Sequence, residues 1–202
     1  MTANWRQQQK AQLRKRLYDV ALELFRAQGY EATTVQQITE RAGVGKGTFF
    51  NHFPSKEHVV VEWYDGITRE SLAEVRERAF GSAEEGVCAL VDAMAARAAA
   101  APELVAIKAR IAPASDLLAE AERTQDAEMS TFCTEHLQAG KKRGELAADL
   151  DEEFFAELLV AMLTGTSRGW VAARHRFDLR EVLRRRTAFL FRAARCPEPA
   201  GG

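Results

Sequence analysis

Cysteine is scarce in this 202-residue chain: Cys88, Cys133 and Cys196 are far apart and lack metal-ligand spacing. An odd count, in a chain whose first residues are polar rather than an apolar signal core, suits a reducing cytoplasm. Long hydrophobic runs are absent too. The longest stretch without a charge, Leu158 to Ser167, is ten residues, too short to span a bilayer. Alternating strand-like patterns are missing. So are a Ser–His–Asp order, a paired-carboxylate pocket and any metal motif, so neither an enzyme nor a cofactor or metal site is expected. Net charge is only −1, which excludes a uniformly basic or acidic partner surface.

What is present is helix. Apolar residues make up 47% and charged residues 28%, enough for a sizeable core, and Ala, Leu, Glu and Arg dominate. Leu13, Leu17, Val20, Ala21, Leu24 and Phe25 form one helical stripe over Trp5–Gln28, closed by Gly29. Thr34 is a credible N-cap for Val35–Ala42, with Gln37 in capping-box position. Gly43-Val44-Gly45 is a turn, and Lys46–His52 a third helix. Ser55 caps a fourth that runs to about Phe80. Further helices are expected over 83–100 (closed by Pro102), 103–111, 115–143, 152–173 (capped by Asp151) and 179–195 (capped by Asp178). The expectation is an all-α chain of about nine helices, with a head over 1–54, a helical body over 55–195 and a disordered tail over 196–202.

The charge is unevenly placed. Residues 1–54 hold eight Lys/Arg against four acids, whereas the rest is net negative, so the head is the part suited to a polyanion. Its two short helices around a glycine turn read as a helix-turn-helix, a device that presents its second helix to the DNA major groove. At 100° per residue from Lys46, Phe49 and Phe53 turn inward. Gly47, Thr48 and Asn51 face out, with Phe50 and His52 on the flanks. Asn suits adenine, Thr a thymine methyl, and Gly a close backbone approach. Lys46 and Lys56 sit at helix starts that favour phosphate, and Thr34 can donate to one. A plain three-helix corner with a solvated face is the alternative. Gly45-Lys46-Gly47-Thr48 resembles the end of a P-loop, but Glu40 stands where that loop needs Gly, and no strand precedes it.

Leu22-Glu-Leu-Phe-Arg-Ala-Gln-Gly-Tyr30, Thr33-Thr-Val-Gln-Gln-Ile38, Arg41-Ala-Gly-Val-Gly-Lys-Gly-Thr-Phe-Phe-Asn-His-Phe53 and Ser55-Lys-Glu57 resemble the TetR (tetracycline-repressor-like) family of regulators. The likeness is specific over about residues 10–62 and looser beyond. It implies an all-helical homodimer that binds a palindromic double-stranded DNA operator and is released by a small molecule. It implies DNA contacts over Thr33, Thr34, Gly45, Lys46, Gly47, Thr48, Phe50, Asn51, His52 and Lys56. The position of Phe50 is usually Tyr in that family, whose hydroxyl reaches a phosphate; Phe50 offers only apolar contact.

In the body, Ala161, Gly165, Gly169 and Ala173 recur at four-residue steps. Two mid-helix glycines, each costing roughly 1 kcal/mol against Ala, suggest a close helix contact. With Leu179, Val182, Leu183, Phe189 and Leu190 this row would form a dimer interface; ordinary packing within the chain is the alternative. Trp63, Met94, Arg110, Met129, Phe132, Cys133, His136, Met162, Thr166 and Trp170 are candidates for an effector pocket, or core residues. Cys133 and His136 sit one turn apart without a third ligand. The resulting expectation is a ligand-responsive transcriptional regulator, most simply a repressor. A helical small-molecule-binding module with a vestigial DNA head is the alternative.

Overall fold

A computed structural model describes residues 2–195, and the side chains of residues 5–195. The expected tail over 196–202, with Cys196, lies outside the described residues. Nine α-helices and no strand occur among them: α1 (Thr2–Gln28), α2 (Val35–Arg41), α3 (Lys46–Phe50), α4 (Lys56–Arg76), α5 (Ala83–Ala100), α6 (Pro102–Ile111), α7 (Asp116–Lys142), α8 (Glu152–Ala172) and α9 (Leu179–Ala194). Most boundaries fall within a few residues of the sequence expectation. Pro102 does not close α5 but opens α6, where a missing N–H costs nothing. No described helix is long and apolar enough to cross a membrane.

The helices fall into two compact units. The first takes residues up to Tyr64 together with Glu103–Leu117; the second takes Asp65–Pro102 and Leu118 onward. This grouping differs from the expected division at 54/55 in placing α6, expected with the body, in the first unit.

In the first unit, Leu17, Ala21 and Phe25 of α1, Ile38 of α2, Phe49 and Phe53 around α3, and Val59 and Val60 of α4 are all essentially inaccessible. Fully burying each large apolar side chain contributes about 1.5–3 kcal/mol. Gly29 ends α1 with φ +85° and Gly43 turns the chain after α2 with φ +68°, a left-handed backbone that glycine adopts without strain. Thr34 makes the full capping box: its hydroxyl accepts from Gln37 N–H at 3.1 Å, and its own N–H donates to the Gln37 side chain at 2.8 Å. Beside α4, Ser115 donates to Glu57 and Lys108 lies 4.0 Å from the centre of the Tyr64 ring.

In the second unit, Asp151 and Asp178 cap α8 and α9 as expected. Ser82 caps α5 as well. α9 is fastened to α5 by Arg180 and Arg184, which both grip Asp92, and by Arg195 on Glu84. Those guanidinium bonds outweigh burial and hold the Asp92 carboxyl below its usual range. Between α4 and α7, buried Thr68 donates to Gln125 at 2.6 Å, and Gln125 donates to Asp65 at 2.6 Å. The α8–α9 turn is left-handed at Arg174 and His175; Trp170 steadies it by donating to the Phe177 carbonyl at 3.0 Å.

Candidate DNA interface

The outer face of α3 starts from what its inner face does. Phe49 and Phe53 are fully buried, with ring centroids 5.6 Å apart. They fix the rotation of a helix too short to hold itself. Gly47 and Asn51 are then exposed and Thr48 half-exposed. A Cβ built on Gly47 would meet nothing within 4 Å, so the backbone there is open to a partner. Lys46 and Gly45 are exposed, and Phe50 stands 51% exposed, edge-on to Phe49. Asn51 itself is the C-cap of α3, one residue beyond the helix, and His52 follows in the turn.

Three expected contacts look different in the structure. Thr33 is buried, and its hydroxyl donates to the Gly29 carbonyl at 2.7 Å, so that side chain braces the α1–α2 link instead of facing outward. Thr34 is exposed, but its hydroxyl is engaged by Gln37. The Lys56 ammonium donates to the carbonyls of Tyr30 and Thr33 and lies 4.4 Å from the centre of the Tyr30 ring. Burial lowers its pKa, with Glu31 pulling the other way. In the same region burial, then Glu57 and Glu31, push the Tyr30 phenol up to about 12.

A residue the sequence reading did not single out ties the interface together. Arg14 of α1 forms an ion pair with Glu62 of α4, donates to the His52 carbonyl, and lies 4.2 Å from the centre of the Phe53 ring. It pins the end of the outward helix to α1 and α4. Its place one turn after Lys10 and two turns after Arg6, on a basic helix face, was the available signal. Gln9, Lys10, Gln12, Leu13 and Arg16 line a cleft with His52 beside it.

The body candidates divide between the two units. Trp63 and Arg110 belong to the first unit, the others to the second, and Arg110 is exposed. Met94, Met129, Phe132, Cys133, Thr166 and Trp170 are buried. The His136 ring lies 4.2 Å from that of Phe132, and its Nδ1 donates to the Phe132 carbonyl at 2.9 Å. Burial pushes the Cys133 thiol up to about 12, a core thiol rather than a ligand. Met162 lies in an outer groove with Leu158, Ala161, Phe189 and Leu190.

The small-residue row does face outward. Ala161, Gly165 and Gly169 are exposed, and a Cβ on either glycine would meet nothing within 4 Å, so packing within the protomer does not explain them. Phe154, Leu158 and Phe189 are 58%, 40% and 64% exposed alongside. Leu179 and Leu183, expected on this face, are buried within the protomer instead.

A two-helix DNA reader with an open Gly47–Thr48–Asn51 face on an otherwise helical body defines the class of DNA-binding transcription regulators. Residues 17–62 match the family model described as bacterial regulatory proteins, tetR family. The chain is 32% identical over 171 residues to the HTH-type transcriptional repressor KstR2 of Rhodococcus jostii, covering 82% of this chain and 80% of that protein. The chain belongs to the TetR family. It is 46% identical over 76 residues to the regulator TcmR of Streptomyces glaucescens, 38% of this chain but only 34% of TcmR. The crystal structure of Thermus thermophilus FadR, a TetR-family repressor in complex with lauroyl-CoA, is similar at TM-score 0.73 and 25% identity, covering 94% of this chain and 100% of that one. TetR regulators bind DNA operators and small-molecule effectors and act as dimers.

Proposed function

We propose that this chain is a cytoplasmic repressor. As a homodimer it binds a palindromic operator through α3, and a small molecule held by the body releases it. The observation that carries this reading is the outward Gly47–Thr48–Asn51 face, held by buried Phe49 and Phe53 within the stretch that matches the family model. Palindromic operators mirror the two-fold symmetry of a dimer, and the apolar outer face of α8 and α9 supports that pairing. Phe154, Leu158, Ala161, Gly165, Gly169, Ala173, Val182 and Phe189 supply it. KstR2 and FadR are both named repressors, which supports repression over activation.

Release follows from population shift: an effector that favours one separation of the two heads withdraws the other. α4 is the element suited to carry it, because Lys56–Tyr64 belong to the head unit and the remainder to the other. The effector class best supported is an acyl-CoA thioester, because the similar FadR holds lauroyl-CoA.

Binding to the DNA flanking the chain's own gene, followed by fluorescence anisotropy, tests the reading. Asn51→Ala and Thr48→Ala should lose more affinity on that DNA than on a random duplex, by roughly 1–3 kcal/mol per lost base contact. Equal losses on both duplexes would rule out direct readout. Lauroyl-CoA, and not coenzyme A alone, should dissociate the complex.

A further inference from the structure

The cleft beside α3 is built for an anion. Gln9, Lys10, Gln12, Leu13 and Arg16 line one wall from α1, and His52 closes it from the turn after α3. Residues 9, 12, 13 and 16 are spaced by three and four, so they share a helix face. Three other cations of the head are already committed: Arg14 to Glu62, Lys15 to Asp19 at 2.6 Å, and Arg41 to Glu23 at 2.9 Å. Lys10 and Arg16 have no carboxylate partner among the described residues, and both are exposed. The charged groups that act on His52 or line the cleft with it are Lys10, Arg14 and Arg16, all from α1, and Arg14 is itself paired with Glu62 of α4. Burial first, then Lys10 and Arg14, hold the His52 imidazole below its usual range. The two cations add to the effect of burial, both disfavouring the charged imidazole.

We propose that this cleft is a binding site for a DNA backbone phosphate, held by Lys10, Arg16 and His52, with Gln9 and Gln12 as further donors. The proposal rests on the DNA-binding reading above and adds a second contact zone on α1, outside the helix-turn-helix. It also says where the phosphate grip lies when Phe50 carries no hydroxyl. A phosphate seated there replaces the missing counter-charge, so His52 takes up a proton as DNA binds. Affinity should therefore rise as pH falls through the range in which the bound imidazole protonates.

Lys10→Ala/Arg16→Ala, both on the exposed side of α1, tests the site without touching the core. Affinity for the flanking DNA and for a random duplex should fall alike, by about tenfold at moderate salt. The slope of log Kd against log salt should drop by about two per protomer. In parallel, wild type should bind more tightly at pH 6 than at pH 8, and His52→Gln should flatten that difference. An unchanged affinity and salt slope in the double variant would overturn the site. A loss confined to the flanking DNA would overturn the phosphate assignment in favour of base contact. Wild-type protein that binds neither duplex would sink the regulator reading itself, a separate outcome from failure of the cleft alone.

Discussion

Lys56 spends two of its three N–H donors on the carbonyls of Tyr30 and Thr33 and stacks over Tyr30. It is a strut between the start of α4 and the α1–α2 link before it is anything for DNA. Lys56→Met should therefore cost about 1–2 kcal/mol of stability, the scale of hydrogen bonds to a charged donor, measured by urea unfolding. A stability unchanged with only DNA affinity lowered would mean that the ammonium serves phosphate alone. From sequence, a lysine at a helix start reads as a phosphate contact, because nothing local reveals two carbonyls 23 and 26 residues away. Arg14 escaped notice for the same reason: its partners Glu62, His52 and Phe53 are near only once α1, α3 and α4 are assembled.

α2 has only seven residues, too few to be stable alone, so its capping box matters more than it would on a long helix. Thr34→Ala removes the acceptor for Gln37 N–H and should cost about 1 kcal/mol, read as a lower unfolding midpoint with an unchanged denaturant slope. Caps were legible where a residue of the right type preceded a periodic run, as at Thr34, Asp151 and Asp178. The left-handed turn after α8 was not, because Arg174 and His175 occupy it without a glycine to announce it. Its geometry is held by Trp170 and Phe177 instead. The assignment of α6 to the head unit was equally silent, since its local pattern is that of any amphipathic helix.

At the scale of the molecule, the α8–α9 face joins exposed apolar side chains to open glycines. Gly165→Leu should leave each protomer at least as stable, because Leu favours helix by roughly 1 kcal/mol over Gly and a Cβ at this exposed position meets nothing within 4 Å. Dimerisation should nevertheless weaken strongly, measured by sedimentation equilibrium. A dimer unaffected by Gly165→Leu would place the interface elsewhere. The same face carries Arg185 and Arg192 in its apolar groove, and Glu153 and Glu157 in the neighbouring groove along α7 and α8. A two-fold partner could match these opposite charges.

The order of helices, their caps and the spacing that puts Phe49 and Phe53 on one side of α3 were set by local rules: period 3.6, side-chain oxygens ahead of helices, and glycine at left-handed turns. Those rules act over a few residues, so the sequence alone determined an all-α chain with an outward Gly47–Thr48–Asn51 face and its family likeness. Only the tertiary structure decided which polar groups were already spent. Thr33 turned inward, Lys56 became a strut, and Lys10 and Arg16 were left with no carboxylate around His52. Whether a charge is free for DNA depends on what lies across space from it, and that information is carried by residues tens of positions away.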